Sequence, residues 1–278
     1  MKTSICLVLI MLQMIYPKLS YCQHKDVYDY QAMYEMKYQP DSTDISSIKF
    51  EKMILLFSEN SSSFLSYPQY LYDSAAYAET QKGNSFGPSF AFASSVYTPI
   101  TYHIFKSQKS IQTFDKTQTT NSPYFEYEEN TDIFKWILKD ELDTIMSFAC
   151  QKAEVNFGGR KWTAWFTNEI PISTGPYKFS GLPGLIVKIS DSQGYWNFSL
   201  TDLVNFKTKT YPFYKQVPTK TTKQQFFKLL RESYDNAFIL DQQNGITYLT
   251  GVEEFKARAE KRAKAANNWI EIYHAEKK

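Results

Sequence analysis

Between His24 and about Pro212 the chain alternates apolar and polar positions in short runs broken by turn residues. In "FEKMILLFS" (Phe50–Ser58) Met53, Leu55 and Phe57 share one face. "TYHIFK" (Thr101–Lys106), "SIQTF" (Ser110–Phe114) and "YFEYEE" (Tyr124–Glu129) alternate in the same way. Period two marks a pleated strand. "ACQKAEVNF" and "RKWTAWFT" flank Gly158-Gly159, a two-residue hairpin signal; "LIVKIS" and "YWNFSLTDL" flank Asp191-Ser192-Gln193-Gly194, another hairpin connection. Short strands joined by tight turns predict an antiparallel sheet. Residues 73–96 break the pattern. "DSAAYAET" reads as a short helix and "KGNSFGPSF" as a loop, so this stretch is expected as a surface excursion. Asp140, Glu141 and Asp143 beside Lys139 read as a solvated turn.

The period changes in the C-terminal quarter. "TTKQQFFKLLRESYDN" opens with Thr222 and Gln225 at capping-box spacing and puts Phe226, Leu229, Leu230 and Tyr234 on one side. "VEEFKARAEKRAKAANNWIEIY" spaces Val252, Phe255, Ala259, Ala263, Ala266 and Ile270 by three or four. Its opposite face carries Lys256, Arg258, Lys261, Arg262 and Lys264, diluted by Glu253, Glu254 and Glu260, and reads as solvated. The expected organisation is a signal peptide over 1–23, an antiparallel β domain over 24–215, and a helical part over 216–278 packing on the same domain. The fold class is α+β, mainly β: a twisted antiparallel sheet with C-terminal helices.

The N-terminus sets the compartment. Lys2 is followed by an apolar stretch from Ser4 to Tyr16, too short to span a bilayer, and then by Pro17 and small or polar residues up to Gln23. That is the layout of a secretory signal. Leu19 stands three residues before Cys22, as in a lipoprotein signal, but Tyr21 is too large for the position before an acylated cysteine. Plain cleavage near Cys22–Gln23 is therefore favoured over lipidation at Cys22. Cys6 leaves with the signal, and Cys150, in a strand-like flank, reads as a buried apolar side chain rather than a reactive thiol. The signal removes Lys2 and Lys18, so 29 of the 31 basic residues remain against 29 acidic ones. This balance gives no reason to expect nucleic acid as a partner.

Known catalytic signatures are missing. His24, His103 and His274 stand far apart, and the chain has no Cys-x-x-Cys, no Gly-x-Ser-x-Gly and no phosphate-binding glycine loop. No catalytic residue, metal site or cofactor is assigned. The chemistry that remains is aromatic, at 17% of the chain. Trp136, Trp162, Trp165 and Trp196 lie on predicted strands, and Tyr177 and Phe179 lie between two turn signals. Strands with large rings on both faces need two covers, or one cover and a ligand. These six residues are therefore the candidate ligand-binding set.

The densest motif is Gly181-Leu182-Pro183-Gly184-Leu185-Ile186. Pro183 fits the first central position of a type II turn and Gly184 the positive-φ second one, after which Leu185, Val187 and Ile189 launch a core strand. On this reading the motif is structural, and Lys178→Ala on the neighbouring segment is expected to leave the melting point nearly unchanged. With "GGRKWTAWFTNEIPISTG" upstream, "ACQKAEV" before it and "NNWIEIY" near the end, the chain resembles the GLPGLI family of exported Gram-negative bacterial proteins. Trp269 replaces the family's usual proline. The resemblance implies export and an envelope setting, and carries no catalytic residues. The strand order also resembles the half-barrel of periplasmic lipoprotein carriers, a likeness of fold alone.

Together these readings predict an exported cell-envelope binding or accessory protein, non-enzymatic, in the periplasm or at the outer membrane. It would contact an apolar ligand, a peptide or an outer-membrane partner through an aromatic-rich curved sheet. The alternative is a hydrolase with a dispersed carboxylate or serine site. A pocket without convergent ionisable groups favours binding; facing carboxylates favour an enzyme.

Overall fold

The computed structural model describes residues 27–84, 87–119, 121–206, 217–247 and 250–272. The expected signal peptide, Cys22, His24 and His274 lie outside them.

The strands are β1 (Tyr30–Tyr38), β2 (Lys49–Phe57), β3 (Ser61–Ser66), β4 (His103–Ser107), β5 (Ser110–Asp115), β6 (Phe125–Asn130), β7 (Ile137–Ile145), β8 (Phe148–Phe157), β9 (Arg160–Thr167), β10 (Leu185–Asp191), β11 (Trp196–Asn205) and β12 (Thr219–Lys220). They form one open sheet in the order β12-β6-β5-β4-β3-β2-β1-β11-β10-β9-β8-β7. Two meanders, β2 to β6 and β7 to β11, are thus joined through β1, which pairs antiparallel with both β2 and β11. Only the two-residue β12 pairs parallel among the described strands. The protein is mostly β, as the alternation predicts.

Helices supply part of the cover. α1 (Tyr67–Gln81) and α2 (Phe90–Ser95) follow β3, and α3 (Lys223–Asp235), α4 (Ala237–Gln243) and α5 (Val252–Ala265) follow β12. α1 is longer than the predicted helix because Pro68 can occupy its first turn without losing a helical hydrogen bond. α3 begins on the expected capping box between Thr222 and Gln225. α5 stops at Ala265, and Ile270 lies buried beyond it in a non-helical strap over 267–272.

Met53 to Phe57 are all buried, so β2 is covered on both faces. On one face Ile54, Leu56, Leu65, Phe105 and Phe114 pack under Tyr67 and Tyr70 of α1. On the other, Tyr34, Met36, Leu55, Phe64 and Ile104 join the rings of β8, β9 and β11 in one large core. The second cover there is the loop over 168–184 between β9 and β10, whose Tyr177, Phe179 and Leu182 belong to that core.

Lys139–Asp143 differ from their expectation. They lie within edge strand β7, where a register shift between Leu138 and Leu142 accommodates the charged residues as a bulge. Charge and a bulge on an edge strand both discourage further pairing.

Candidate functional site

The loop over 168–184 is pinned by two lysines: Lys106 of β4 reaches into it, and the loop's own Lys178 reaches out of it. Lys106, the last buried residue of β4, shares the inward face of Ile104. Its Nζ donates to the carbonyls of Gly175 (2.5 Å), Tyr177 (3.1 Å) and Phe179 (3.1 Å). Three alternate carbonyls thus converge on one ammonium, and Tyr177 adopts φ +52° to present its own. Such a conformation in a non-glycine residue costs energy and persists only where surroundings enforce it. Burial lowers the Lys106 pKa to about 7, while the three carbonyls favour the charged form.

Lys178 leaves the loop on its other side and is fully buried. Its Nζ meets Glu129 of β6 and Glu271 of the strap, each at 2.5 Å, and the Tyr127 hydroxyl at 3.1 Å. Lys223 of α3 approaches the remaining oxygens of both glutamates at 2.5 Å. Tyr177 donates its hydroxyl to Glu271 (2.7 Å). Burial opposes the ionised carboxyl of Glu271, but Lys178 and Lys223 override it and hold the group well below the usual carboxylate range. For Lys178 burial favours the neutral amine, and Glu271, Tyr127 and Glu129 reverse that preference. The network is two cations and two anions, so it is neutral and internally paired. The expectation that Lys178→Ala leaves the melting point nearly unchanged does not fit a lysine buried and paired in this way.

Gly184 also differs from its expectation. It does not have positive φ; Gly181 does, at +93°. A Cβ on Gly184 would stand 2.0 Å from the Thr167 carbonyl oxygen, so glycine is required by close backbone approach. Leu182, Leu185 and Ile186 of the motif are buried, and Ile186 accepts from the Tyr34 hydroxyl at 2.6 Å. Pro183 lies in the bend between Leu182 and Gly184.

The strap is anchored from the Gly158-Gly159 hairpin. Arg160 pairs with Asp191 (2.9 Å) and donates to Asn268 Oδ1 and to the carbonyls of Trp269 and Ile270. Ile272 N–H donates to the Gly158 carbonyl at 2.7 Å.

The six candidate aromatic residues fall around this loop or in the adjoining core. Phe179 packs against Phe134, Trp136, Phe157, Trp162 and Tyr177. Trp136 donates to the Ser180 carbonyl (2.8 Å) and Trp162 to the Phe157 carbonyl (3.0 Å). Trp196 stacks on Tyr38 and donates to the Asn268 carbonyl, and half-buried Trp165 packs on the same core. Trp162, Tyr177, Phe179 and Trp196 are buried by the protein itself.

Above the loop opens a cleft of about 450 Å³. Its walls are the β2–β3 turn, the β4–β5 turn, residues 131–132 and the loop segments 171–174 and 180–181. Hydroxyls dominate: Ser58, Ser61, Ser62, Ser107, Ser173 and Thr174. The Ser62 and Thr174 hydroxyls bond each other at 3.1 Å. The hydroxyl of Ser180 is buried and has no hydrogen-bond partner among the described residues. Lys106, Glu59 and Asp132 are the charged groups of the lining. The Ser63–His103 pair, at 2.7 Å, lies fully buried elsewhere, on the face that α1 covers. No group of three or more His, Cys, Asp or Glu placed to hold a metal occurs among the described residues.

Residues 101–188 match the model of a family described as "Protein of unknown function (Porph_ging)". The match runs from β4 to β10 and so contains both lysines and the loop. No curated protein matches the chain. Among solved structures, "Structure of PNGF-II in P21 space group" is similar at 12% identity and TM-score 0.50, over 74% of this chain and 33% of that one. "Structure of PNGF-II in C2 space group" is similar at 13% identity and TM-score 0.49, over the same shares. The chain therefore spans about a third of the length of the first of these, and that likeness concerns fold alone.

Lys106, Lys178, Glu129, Lys223, Arg160 and Glu271 were not among the residues singled out for function from sequence. Two carried a signal: Lys106 sits on the apolar face of "TYHIFK", and Glu271 sits between Ile270 and Ile272.

Proposed function

We propose that the protein is an exported cell-envelope binding or accessory protein that takes an extended polar peptide segment of an envelope partner in the cleft above the pinned loop. The observation that carries this reading is the lining. It offers hydroxyls from three separate segments, on a floor held in place by Lys106. Hydroxyls both donate and accept, as the alternating N–H and C=O of an extended backbone require. Binding is favoured over catalysis because the Lys106 ammonium is engaged by three carbonyls, and the Ser63–His103 pair is closed off in the core. The family resemblance and the signal-like N-terminus support export.

The test is native mass spectrometry of protein purified from its own envelope, with Ser107→Trp as the cleft-blocking variant. An intact peptide on the wild type and none on the variant is the expected result. Unliganded wild type that also ignores added envelope peptides would sink the binding reading. Shortened products would favour the hydrolase instead. N-terminal sequencing of the same sample should begin near Cys22–Lys25.

A further inference from the structure

The cleft carries a charge pattern that its hydroxyls do not explain. Glu59, in the β2–β3 turn, and Asp132, just after β6, are both exposed, and both line it. Neither carboxylate forms an ion pair among the described residues. Lys106 is the one cation of the lining. It is buried, and its ammonium is engaged by the carbonyls of Gly175, Tyr177 and Phe179. Lys109, in the β4–β5 turn, is exposed and lies outside the lining. The accessible charge that an entering ligand meets is therefore negative, and a concave wall of one sign concentrates ligands of the other. The walls that bear the two carboxylates are also tied together. The Gln108 side-chain amide donates to Asn60 Oδ1 (2.8 Å), and the Thr131 hydroxyl donates to the Gln108 carbonyl (3.1 Å). Asn60 follows Glu59 and Thr131 precedes Asp132, so the β4–β5 turn has one carboxylate-bearing wall bonded to it on each side. A rim tied in this way needs little reordering to receive a ligand.

We propose that the cleft selects a lysine or arginine side chain within the segment it binds, and that Glu59 and Asp132 receive its cationic head at the rim beside Gln108. This rests on the peptide-binding reading above and adds to it the class of residue recognised. The stem of such a side chain is apolar and packs along Pro171 and Ile172 of the lining, while its head stays at the wet rim. Arginine gains more than lysine, because its planar fork meets a carboxylate through two parallel hydrogen bonds. An aspartate or glutamate at the same place in the ligand is repelled by both walls.

The experiment is affinity selection from a pool of random-sequence heptapeptides, with the retained peptides sequenced. It is run on wild type, on Glu59→Gln/Asp132→Asn and on the cleft-blocking Ser107→Trp. Wild type should enrich lysine and arginine over glutamine by about three- to tenfold, the scale of one or two partly exposed ion pairs. High salt should remove most of that preference. Glu59→Gln/Asp132→Asn should keep the wild-type melting temperature, since both side chains are exposed, and lose the preference. Peptides retained by wild type without lysine or arginine enrichment would overturn the proposal and leave the cleft reading standing. So would an enrichment that survives in the double variant, because the selecting charge would then lie elsewhere. Failure of wild type to retain any peptide, or equal retention by Ser107→Trp, would overturn the cleft reading together with the proposal.

Discussion

The ammonium of Lys178 and the carboxylate of Glu271 meet at 2.5 Å in a fully buried site, although 93 residues separate them in the chain. The pair joins the loop before the Gly181–Ile186 motif to the C-terminal strap. A buried ion pair is not a large net source of stability, because desolvation offsets attraction; removing one partner is what costs.

Lys178→Ala should therefore destabilise strongly, by about 3–5 kcal/mol. For a chain of this length that is a fall in melting temperature on the order of 10 °C. Circular dichroism melts check it. Lys178→Met combined with Glu271→Leu should recover much of the loss, since no unmatched charge then remains. A single variant that melts within a degree or two of wild type would mean that water solvates the site.

The same network sets a pH dependence. The carboxyl of Glu271 is depressed in the folded protein relative to the unfolded chain. In the unfolded chain it takes up its proton near pH 4.3, while the folded state still excludes it. Stability from this group is therefore complete above that pH and falls as pH drops further, by up to about 1.4 kcal/mol per pH unit. Denaturation midpoints between pH 6 and pH 3 should slope more steeply for wild type than for Glu271→Gln. Equal slopes would refute the assignment.

Gly184 and Gly181 separate two kinds of glycine requirement. A Cβ at position 184 would collide with the Thr167 backbone, and at 181 it would meet nothing closer than Trp136 Nε1 at 3.5 Å. Gly181→Ala should cost only about 1–2 kcal/mol for its left-handed conformation. Gly184→Ala should yield little folded protein, because β9 and β10 would have to separate. The soluble yield and melting temperature of the two variants give the ranking, and the reverse order would overturn the close-approach account.

Lys106→Met preserves length while removing the donor for three carbonyls. Each carbonyl left dry and unpaired costs about 1–3 kcal/mol, so the loop should open to water. Hydrogen exchange should speed up over 175–182 before it does in β1 or β2. Unchanged protection there would mean that the loop is held by Phe179 and its ring neighbours instead.

β1, β8 and β9 were legible because burial alternates along them, and the hairpins because turn residues break the strand runs. The β8–β9 and β10–β11 hairpins fall where Gly158-Gly159 and Asp191–Gly194 put them, and the Thr222–Gln225 box starts α3. The role of Gly184 was not legible, since a local turn rule sees φ but not the Thr167 carbonyl seventeen residues earlier. Nor was the burial of Lys178, whose partners come from β6, α3 and the strap. The bulge in β7 was read as a turn because its charges were counted without the neighbouring strand that carries them. The aromatic positions were legible in the sequence, but no periodicity reveals that a loop of the same chain covers one face of their sheet.

The anchoring of the strap has a consequence for the order of synthesis. Glu271 follows Glu129, Lys178 and Lys223 in the chain, and until it emerges Lys178 has Glu129 as its only carboxylate in the network. A nascent chain can pair its strands but cannot close this end of the core. Chains ending at Trp269 should stay open to protease at the 168–184 loop, whereas full-length chains resist, and equal resistance would refute this dependence. A region whose lock needs a residue made this late stays loose until synthesis has passed that residue.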